Sequence, residues 1–281
     1  MYVWVLLSGC AAGPAEETGA EACATPHEVT DYTVAWDTSP AATAGQETTF
    51  TLRVRDQEGC PVEDLQQAHE RIVHTLLIGR DLASFQHLHH EDFTTLTADD
   101  LRASTYRFPV TFPSAGDYRL VFDYAHHNQY LTTTDWMTVG GTPAQADTPA
   151  LDYTLERAVE DLVVTLAWQI EPYAGYEASW EITVRTADGA DVTDLVQWLG
   201  ADGHAAVASA DLGWVNHTHA WFPDMENVAP GHEMPHLYDG PVLPFHFTFP
   251  NAGPHKMWLQ FARADDPEHV YVADFAFDVA P

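Results

Sequence analysis

Short segments in which hydrophobic and polar residues alternate recur through most of the chain. Residues 48–55 alternate in this way, residues 71–78 form a β-branched run, and residues 106–112, 118–124 and 130–139 are of the same kind. A period of two is typical of strands with one buried face, and hardly any segment shows helical periodicity. The pattern therefore predicts an all-β protein.

Parts of the pattern occur twice. Residues 112–116 (Phe-Pro-Ser-Ala-Gly) match residues 249–253 (Phe-Pro-Asn-Ala-Gly), and each copy precedes an apolar strand. With short strands and turn residues at regular spacing, each half is typical of an immunoglobulin-like β-sandwich. We expect the first sandwich at residues 30–140, a linker at 141–150 and the second sandwich at 151–281.

A histidine pattern repeats with the same spacing. His74 is followed thirteen residues later by a His-x-His pair, and so is His204; the pairs are His87 with His89 and His217 with His219. Residues i and i+2 of a strand point to the same face, so each pair can converge on one ion. A hairpin centred between Arg80 and Asp81 would place His74 opposite His87 and add a third imidazole, and the second copy would do the same.

Three imidazoles suit Cu(II) or Zn(II), with a fourth position left to water or a nearby side chain. The sequence therefore predicts one metal ion in each half. A structural polar cluster, or a remnant of the duplication, is the alternative interpretation of the same histidines.

The second half carries additional candidate ligands. These are His232, Met234 and His236 in an insertion that also contains Met225, and His246 on a following strand. Copper in either oxidation state accepts mixed His and Met ligands, whereas zinc rarely binds a thioether, so the insertion favours copper, with zinc as the alternative. A segment of this composition is also typical of an exposed loop.

The first residues predict export and lipid attachment. Residues 1–9 contain an apolar run, and Leu-Ser-Gly-Cys at residues 7–10 resembles the lipobox of bacterial lipoproteins, which implies a lipid on Cys10 and a flexible tether over residues 10–29. No Lys or Arg precedes the run, so we expect the true start codon upstream. A chance tetrapeptide in a cytosolic protein is the alternative. In an oxidising envelope compartment, Cys23 and Cys60 would form a disulfide.

The charge balance restricts the partners. The chain has 42 acidic and 11 basic residues and a formal net charge of −31, which argues against nucleic acid and anionic lipid and favours cations or basic partners. The sequence contains no nucleophile elbow, phosphate-binding glycine loop or His-Glu-x-x-His motif, so we expect no enzymatic activity. His255 and His269 are expected at the surface.

Residues 80–89 resemble a known group. The sequence Arg-Asp-Leu-Ala-Ser-Phe-Gln-His-Leu-His, preceded by His69-Glu70 and His74, is similar to the YtkA-like family of secreted or lipid-anchored immunoglobulin-like proteins. The resemblance implies two tandem sandwiches at the cell envelope, in a group described as candidate metal binders. His90 and Ala220 stand where that family usually has proline, so we expect a different exit from the strand.

Two functions follow as hypotheses. The first is a lipid-anchored bacterial envelope protein, periplasmic or extracellular, that binds a transition metal for storage, delivery or tolerance. The second is a non-enzymatic interaction module for an envelope protein partner, with structural or pH-sensing histidines. Both place the membrane contact in the lipid anchor alone.

Overall fold

The structure is a computed structural model that describes Cys23 and residues 28–142, 151–221, 223, 229–232 and 234–281. The expected signal segment, the lipid-attachment Cys10, most of the tether, most of the linker and Met225 lie outside the described residues. Among the described residues, no helix is long and apolar enough to cross a membrane.

The first half is a sandwich of two antiparallel sheets. Its elements are β1 (Tyr32–Ser39), β2 (Glu47–Asp56), β3 (Val73–Gly79), β4 (Phe85–Leu88), a 3₁₀ turn (His90–Asp92), α1 (Ala98–Ala103), β5 (Thr105–Thr111), β6 (Gly116–His126) and β7 (Gln129–Val139). One sheet has the order β1-β2-β5 and the other has the order β4-β3-β6-β7.

The second half repeats this architecture. Its strands are β8 (Glu156–Val159), β9 (Leu162–Ile170), β10 (Glu177–Thr186), β11 (Leu195–Val196), β12 (His204–Ser209), β13 (Val215–His219), β14 (Val242–Thr248), β15 (Gly253–Arg263) and β16 (Asp266–Val279). One sheet has the order β14-β10-β9-β8; in the other, β13-β12-β15-β11 run side by side and β16 also pairs with β15.

Each sandwich closes around its own apolar core. Phe50, Leu52 and Phe122 are fully buried in the first core, and Trp180, Phe245 and Phe261 are fully or almost fully buried in the second. The alternating strands bury one face here, as the period of two requires. The expectation of an all-β protein with two tandem β-sandwiches is confirmed.

The two sandwiches pack against each other through the sheets that contain β3 and β12. A third apolar cluster lies between them and includes Leu76, Ile78, Val121, Ala206 and Trp258. Every residue of β3 is buried because both faces of its sheet are covered, which explains the continuous apolar run in this segment.

The same alternation points histidines toward the interface. His74 has the parity of Leu76 and Ile78 along β3, and His204 has the parity of Ala206 along β12. Successive side chains of a strand point to opposite faces, so both histidines lie on the faces that meet between the sandwiches. The domain boundary therefore has an apolar part and a histidine part.

The observed hairpin register differs from the expected one by two residues. His87 pairs with Leu76, not with His74, and in the second hairpin His204 pairs with His219, not with His217. The turn is centred one residue later than expected, because Asp81 accepts hydrogen bonds from the backbone N–H groups of Ala83 and Ser84. A tight turn with Leu82 in the left-handed region results.

The two cysteines expected to pair, Cys23 and Cys60, form a disulfide with a Cα–Cα distance of 5.4 Å. Cys60 is buried, and its backbone N–H donates to the side chain of Asp56 at the end of β2. The bond therefore ties the segment before β1 to the first sandwich.

Candidate metal centre

Three ring nitrogens converge in the first sandwich, from His74 on β3, His87 on β4 and His89 just after β4; we call these residues the first triad. His74 Nδ1 lies 3.0 Å from His87 Nε2, and His89 Nε2 lies 2.9 Å and 3.0 Å from those two atoms. All three side chains are buried. The sequence placed these three histidines together correctly, although through the wrong register.

The other nitrogen of each ring faces an oxygen. His74 Nε2 donates to the Ala68 carbonyl over 2.8 Å, and His89 Nδ1 donates to a carboxylate oxygen of Asp92 over 2.6 Å. His87 Nδ1 donates to the side-chain oxygen of Gln260 over 2.9 Å. A neutral imidazole carries one N–H, so all three converging nitrogens present lone pairs.

Burial keeps these rings neutral. Loss of water lowers the pKa of His89 and holds those of His74 and His87 well below the usual value, and for His74 and His87 the neighbouring histidines lower it further. Metal ions bind the neutral imidazole. The first triad is therefore available to a cation at neutral pH without the loss of a proton.

The second sandwich contains the equivalent arrangement, the second triad of His204, His217 and His219. His204 Nδ1 lies 3.3 Å from His217 Nε2, and His204 Nε2 donates to the Trp198 carbonyl over 2.6 Å. His219 Nε2 is buried and has no hydrogen-bond partner among the described residues. Burial, together with the neighbouring histidines, holds the pKa values of His204 and His219 well below normal.

The two triads have nearly the same internal geometry. The ring centroids of the first triad are 5.3, 4.6 and 4.5 Å apart, and the corresponding separations in the second triad are 5.3, 4.6 and 4.8 Å. The duplication therefore preserved the site as well as the fold.

The triads meet at the domain boundary, with His217 at the junction. Its ring centroid lies 4.9 Å from that of His87 and 5.7 Å from that of His74. One ligand atom from each of His74, His87 and His217 lies within 4.8 Å of the others, and the same holds within the second triad. The histidines form one continuous cluster rather than the two isolated sites expected from the sequence.

A cavity of 410 Å³ opens onto the cluster. Its lining includes His69, His74, His217, His219 and Met234. The ring of His69 lies 3.8 Å from that of His219, centroid to centroid, and burial lowers the pKa of His69 to about 4. His87, His89 and His204 are not among the described residues that line this cavity. Two members of the second triad line it and only one of the first does, so the second triad is the more accessible of the two.

The remaining predicted ligands separate. Met234 is buried in the cavity wall, and exposed His232 lines a smaller neighbouring cavity that His69 also lines. His236 bridges two carboxylates instead, Asp202 and Asp239.

His246 does not approach either triad in the structure. It lies on β14, in the outer sheet, 3.3 Å from Glu177. Alternation along the strand predicted that His246 points away from Phe245 and Phe247. It could not predict that β14 belongs to the sheet that lacks the second triad.

Three other histidines have structural roles. His255, expected at the surface, is fully buried beside Phe249 and Phe277, because β15 is covered on both faces. His90 opens the 3₁₀ turn and accepts the N–H of Arg107 through Nδ1. Buried His126 donates to Asp64 and contacts the Tyr32 hydroxyl, which accounts for both of its nitrogens.

The sequence analysis did not assign four residues that the structure places at the site: His69, Asp92, Asp123 and Gln260. Asp123 lies opposite His74 on β6, and Gln260 lies opposite His204 on β15. Each interrupts a local apolar run, at residues 120–125 or 257–262, and each follows its copy of the Phe-Pro-x-Ala-Gly segment at the same distance. A polar residue in a buried run at equivalent positions was the available signal.

Solved structures with similarity to this chain are distant. Trypsin-activated alpha-2-macroglobulin from Escherichia coli is 12% identical, with 90% of this chain and 16% of that chain covered and a TM-score of 0.24. Red sea bream transglutaminase is 11% identical, with 90% and 31% covered and a TM-score of 0.24. A Corynebacterium diphtheriae protein described as membrane anchored is 10% identical, with 92% and 60% covered and a TM-score of 0.25.

This chain thus spans 16–60% of the length of those structures. None of the curated proteins matches the sequence significantly. One family model, described as Domain of unknown function (DUF8832), matches residues 27–141 and again residues 157–281, so the chain belongs to this family and contains two copies of its domain.

Proposed function

We propose that this protein binds a transition metal ion through the first triad. The supporting observation is that three buried ring nitrogens lie 2.9–3.0 Å apart while the opposite nitrogen of each ring donates to an oxygen. No proton is left to bridge the three lone pairs, so they repel one another unless a cation lies between them. A metal ion removes this repulsion and uses all three rings.

The metal favoured by this geometry is copper. With metal–nitrogen bonds of ~2.0–2.1 Å, nitrogens 2.9–3.0 Å apart subtend about 87–97° at the ion. Three such mutual angles fit two equatorial positions and one axial position of a tetragonal Cu(II) site, whereas tetrahedral Zn(II) needs nitrogens about 3.3 Å apart. The thioether of Met234 in the adjoining cavity adds a ligand type that copper accepts and zinc rarely uses.

The cellular role that we propose is storage, delivery or tolerance of copper by a non-enzymatic envelope protein. A net charge of −31 attracts cations, and the Cys23–Cys60 disulfide suits an oxidising compartment. Attachment through Cys10 and membership of the YtkA-like group remain predictions from the sequence. The competing role, an interaction module with structural histidines, is favoured only if the triads bind no metal.

Copper titration of the purified chain tests the proposal. The metal-free protein, carrying Cys10→Ser for solubility, is titrated with Cu(II) and with Zn(II) against a chelator of known affinity. We expect His89→Gln to weaken copper binding by more than the roughly 10–100-fold that is typical of losing an outer partner. His246→Ala is the matched control, because this histidine lies on the outer sheet, and it should leave the affinity unchanged.

Equal copper affinity in the His89→Gln variant and the parent chain would overturn the proposed site. Tighter binding of zinc than of copper would support metal binding at the first triad but would show that the metal is zinc. Circular dichroism of each metal-free variant shows whether the sandwiches remain folded.

A further inference from the structure

We infer that the two triads form one paired centre that holds two metal ions across the domain boundary, and that the second ion binds a small anion from the cavity. This inference rests on the proposed metal binding. It adds a second ion, a coupling between the two ions and a class of exogenous ligand.

Two ions, rather than one shared ion, follow from the number and arrangement of the nitrogens. A copper or zinc ion takes about four such ligands, and six imidazoles are present in two sets of nearly equal shape. In each set, the histidine of the central strand donates its Nε2 proton to a backbone carbonyl, Ala68 O or Trp198 O, and turns Nδ1 inward. Each triad is therefore built as a complete three-nitrogen site.

The two ions would lie close together. Ligand atoms of His217 and of the first triad members His74 and His87 lie within 4.8 Å of one another. With metal–nitrogen bonds of ~2.0–2.1 Å, two ions bound on either side of this contact are at most about 9 Å apart. At that separation, the unpaired electrons of two Cu(II) ions interact through their magnetic dipoles.

Charge balance points to an anionic ligand. Six neutral imidazoles leave the charge of two divalent ions uncompensated in a buried site, which is costly. Two carboxylates act from outside the rings: Asp92 accepts from His89, and Asp123 lies 3.7 Å from Nδ1 of His217. A small anion bound directly to an ion would complete the balance.

The cavity supplies the place for this anion on the second ion. Cavity walls include His217 and His219 of the second triad but only His74 of the first. His219 Nε2 is buried without a partner among the described residues, and the tilted ring of His69 lies 3.8 Å from that of His219, centroid to centroid. His69 is thus placed to donate to an anion bound at the second ion.

Stepwise copper loading with azide as the probe tests the inference. We expect two copper ions per chain by elemental analysis. The electron paramagnetic resonance spectrum should integrate to one spin after the first ion and to two spins after the second, with dipolar broadening and a half-field transition that appear only with the second ion. Azide should give a new charge-transfer absorption only once the second ion is bound.

Paired variants separate the two sites. His219→Gln should bind one ion, show one uncoupled spin and lose the azide band, while His89→Gln should lose the first ion and keep the azide band. His246→Ala is the matched control and should bind two.

Each contrary result has its own meaning. A single ion in the parent chain that requires both His89 and His219 overturns the paired centre but keeps metal binding. Two ions with independent spins, or without an azide response, also overturn the inference. Binding of no metal overturns the proposed function itself.

Discussion

Gln260 of the second sandwich accepts a hydrogen bond from Nδ1 of His87 in the first sandwich, with an N···O distance of 2.9 Å. The contact fixes which nitrogen of His87 carries the proton and turns Nε2 toward His74 and His89. A nearly reciprocal contact exists, in which Asp123 of the first sandwich lies 3.7 Å from Nδ1 of His217 in the second. Each triad is therefore completed by the other domain.

Replacing Gln260 should weaken a metal site whose ligands all belong to the other sandwich. In Gln260→Met, which retains the bulk but offers no amide oxygen, His87 Nδ1 loses its acceptor and the ring is free to rotate or change tautomer. We expect copper affinity at the first triad to fall about 10–100-fold. Competition titration with one equivalent of Cu(II) measures the change.

Gln169→Met is the control for this prediction, because Gln169 is on the outer sheet and hydrogen-bonds to Glu181. It should bind copper as the parent chain does. An affinity in Gln260→Met within twofold of the parent would show that the interdomain hydrogen bond does not support the site.

Asp92 should matter to the same site from within the first sandwich. Its carboxylate accepts from His89 Nδ1 over 2.6 Å and also pairs with Arg71. Asp92→Asn keeps the shape but removes the charge that strengthens the imidazole as a ligand, so copper should bind about 10-fold or more weakly. Asp37→Asn, which alters an exposed ion pair with Arg53, is the control, and copper affinity equal in both variants would contradict the prediction.

The fold was predictable because its signals are local. Alternation in residues 48–55 requires only that one face of a strand is buried, and the repeated Phe-Pro-x-Ala-Gly segments mark equivalent turns. The exact pairing in the hairpins was not predictable from numbering alone. Hydrogen bonds from Ala83 and Ser84 to Asp81 move the turn by one residue, which shifts the cross-strand partners by two.

The site was predictable only within each repeat. His74, His87 and His89 share a spacing that the second copy repeats, and the structure brings each set together. Packing of one sandwich on the other then joins the sets and brings in Gln260, and that contact joins residues 173 positions apart. No periodicity in the chain encodes it, since it depends on which outer faces of the sheets are apolar.

Weakening the apolar part of the boundary should destabilise the protein. Trp258 is 2% exposed, and its ring stacks on Phe85 of the other sandwich with centroids 5.1 Å apart. Trp258→Ala leaves a cavity between the domains, and we expect it to lower the free energy of unfolding by about 3–5 kcal/mol in denaturant titration. Phe93→Ala, at a 47% exposed position, should cost less than about 1 kcal/mol, and similar losses for both would argue against a packed interface.

The metal-free protein should lose stability as the pH falls below about 6.5, the ordinary pKa of an unfolded histidine. Burial holds the pKa values of His74, His87, His204 and His219 well below normal and lowers that of His69 to about 4. Between pH 6.5 and the lowered pKa values, the unfolded chain binds protons that the folded chain excludes, so acid favours unfolding. The contribution of the neutral histidines to the free energy of unfolding is fully present above pH 6.5.

His69→Leu isolates one proton of this effect. Leu199 occupies the equivalent backbone position of the second repeat with the same φ of 49°, so leucine fits the conformation. In urea titrations of the metal-free chain between pH 6.5 and 5, the variant should lose less stability per pH unit than the parent, by up to about 1.4 kcal/mol. His269→Ala, an exposed control, should retain the parent slope, and a parent chain that becomes more stable toward pH 5 would show that the histidines are charged when buried.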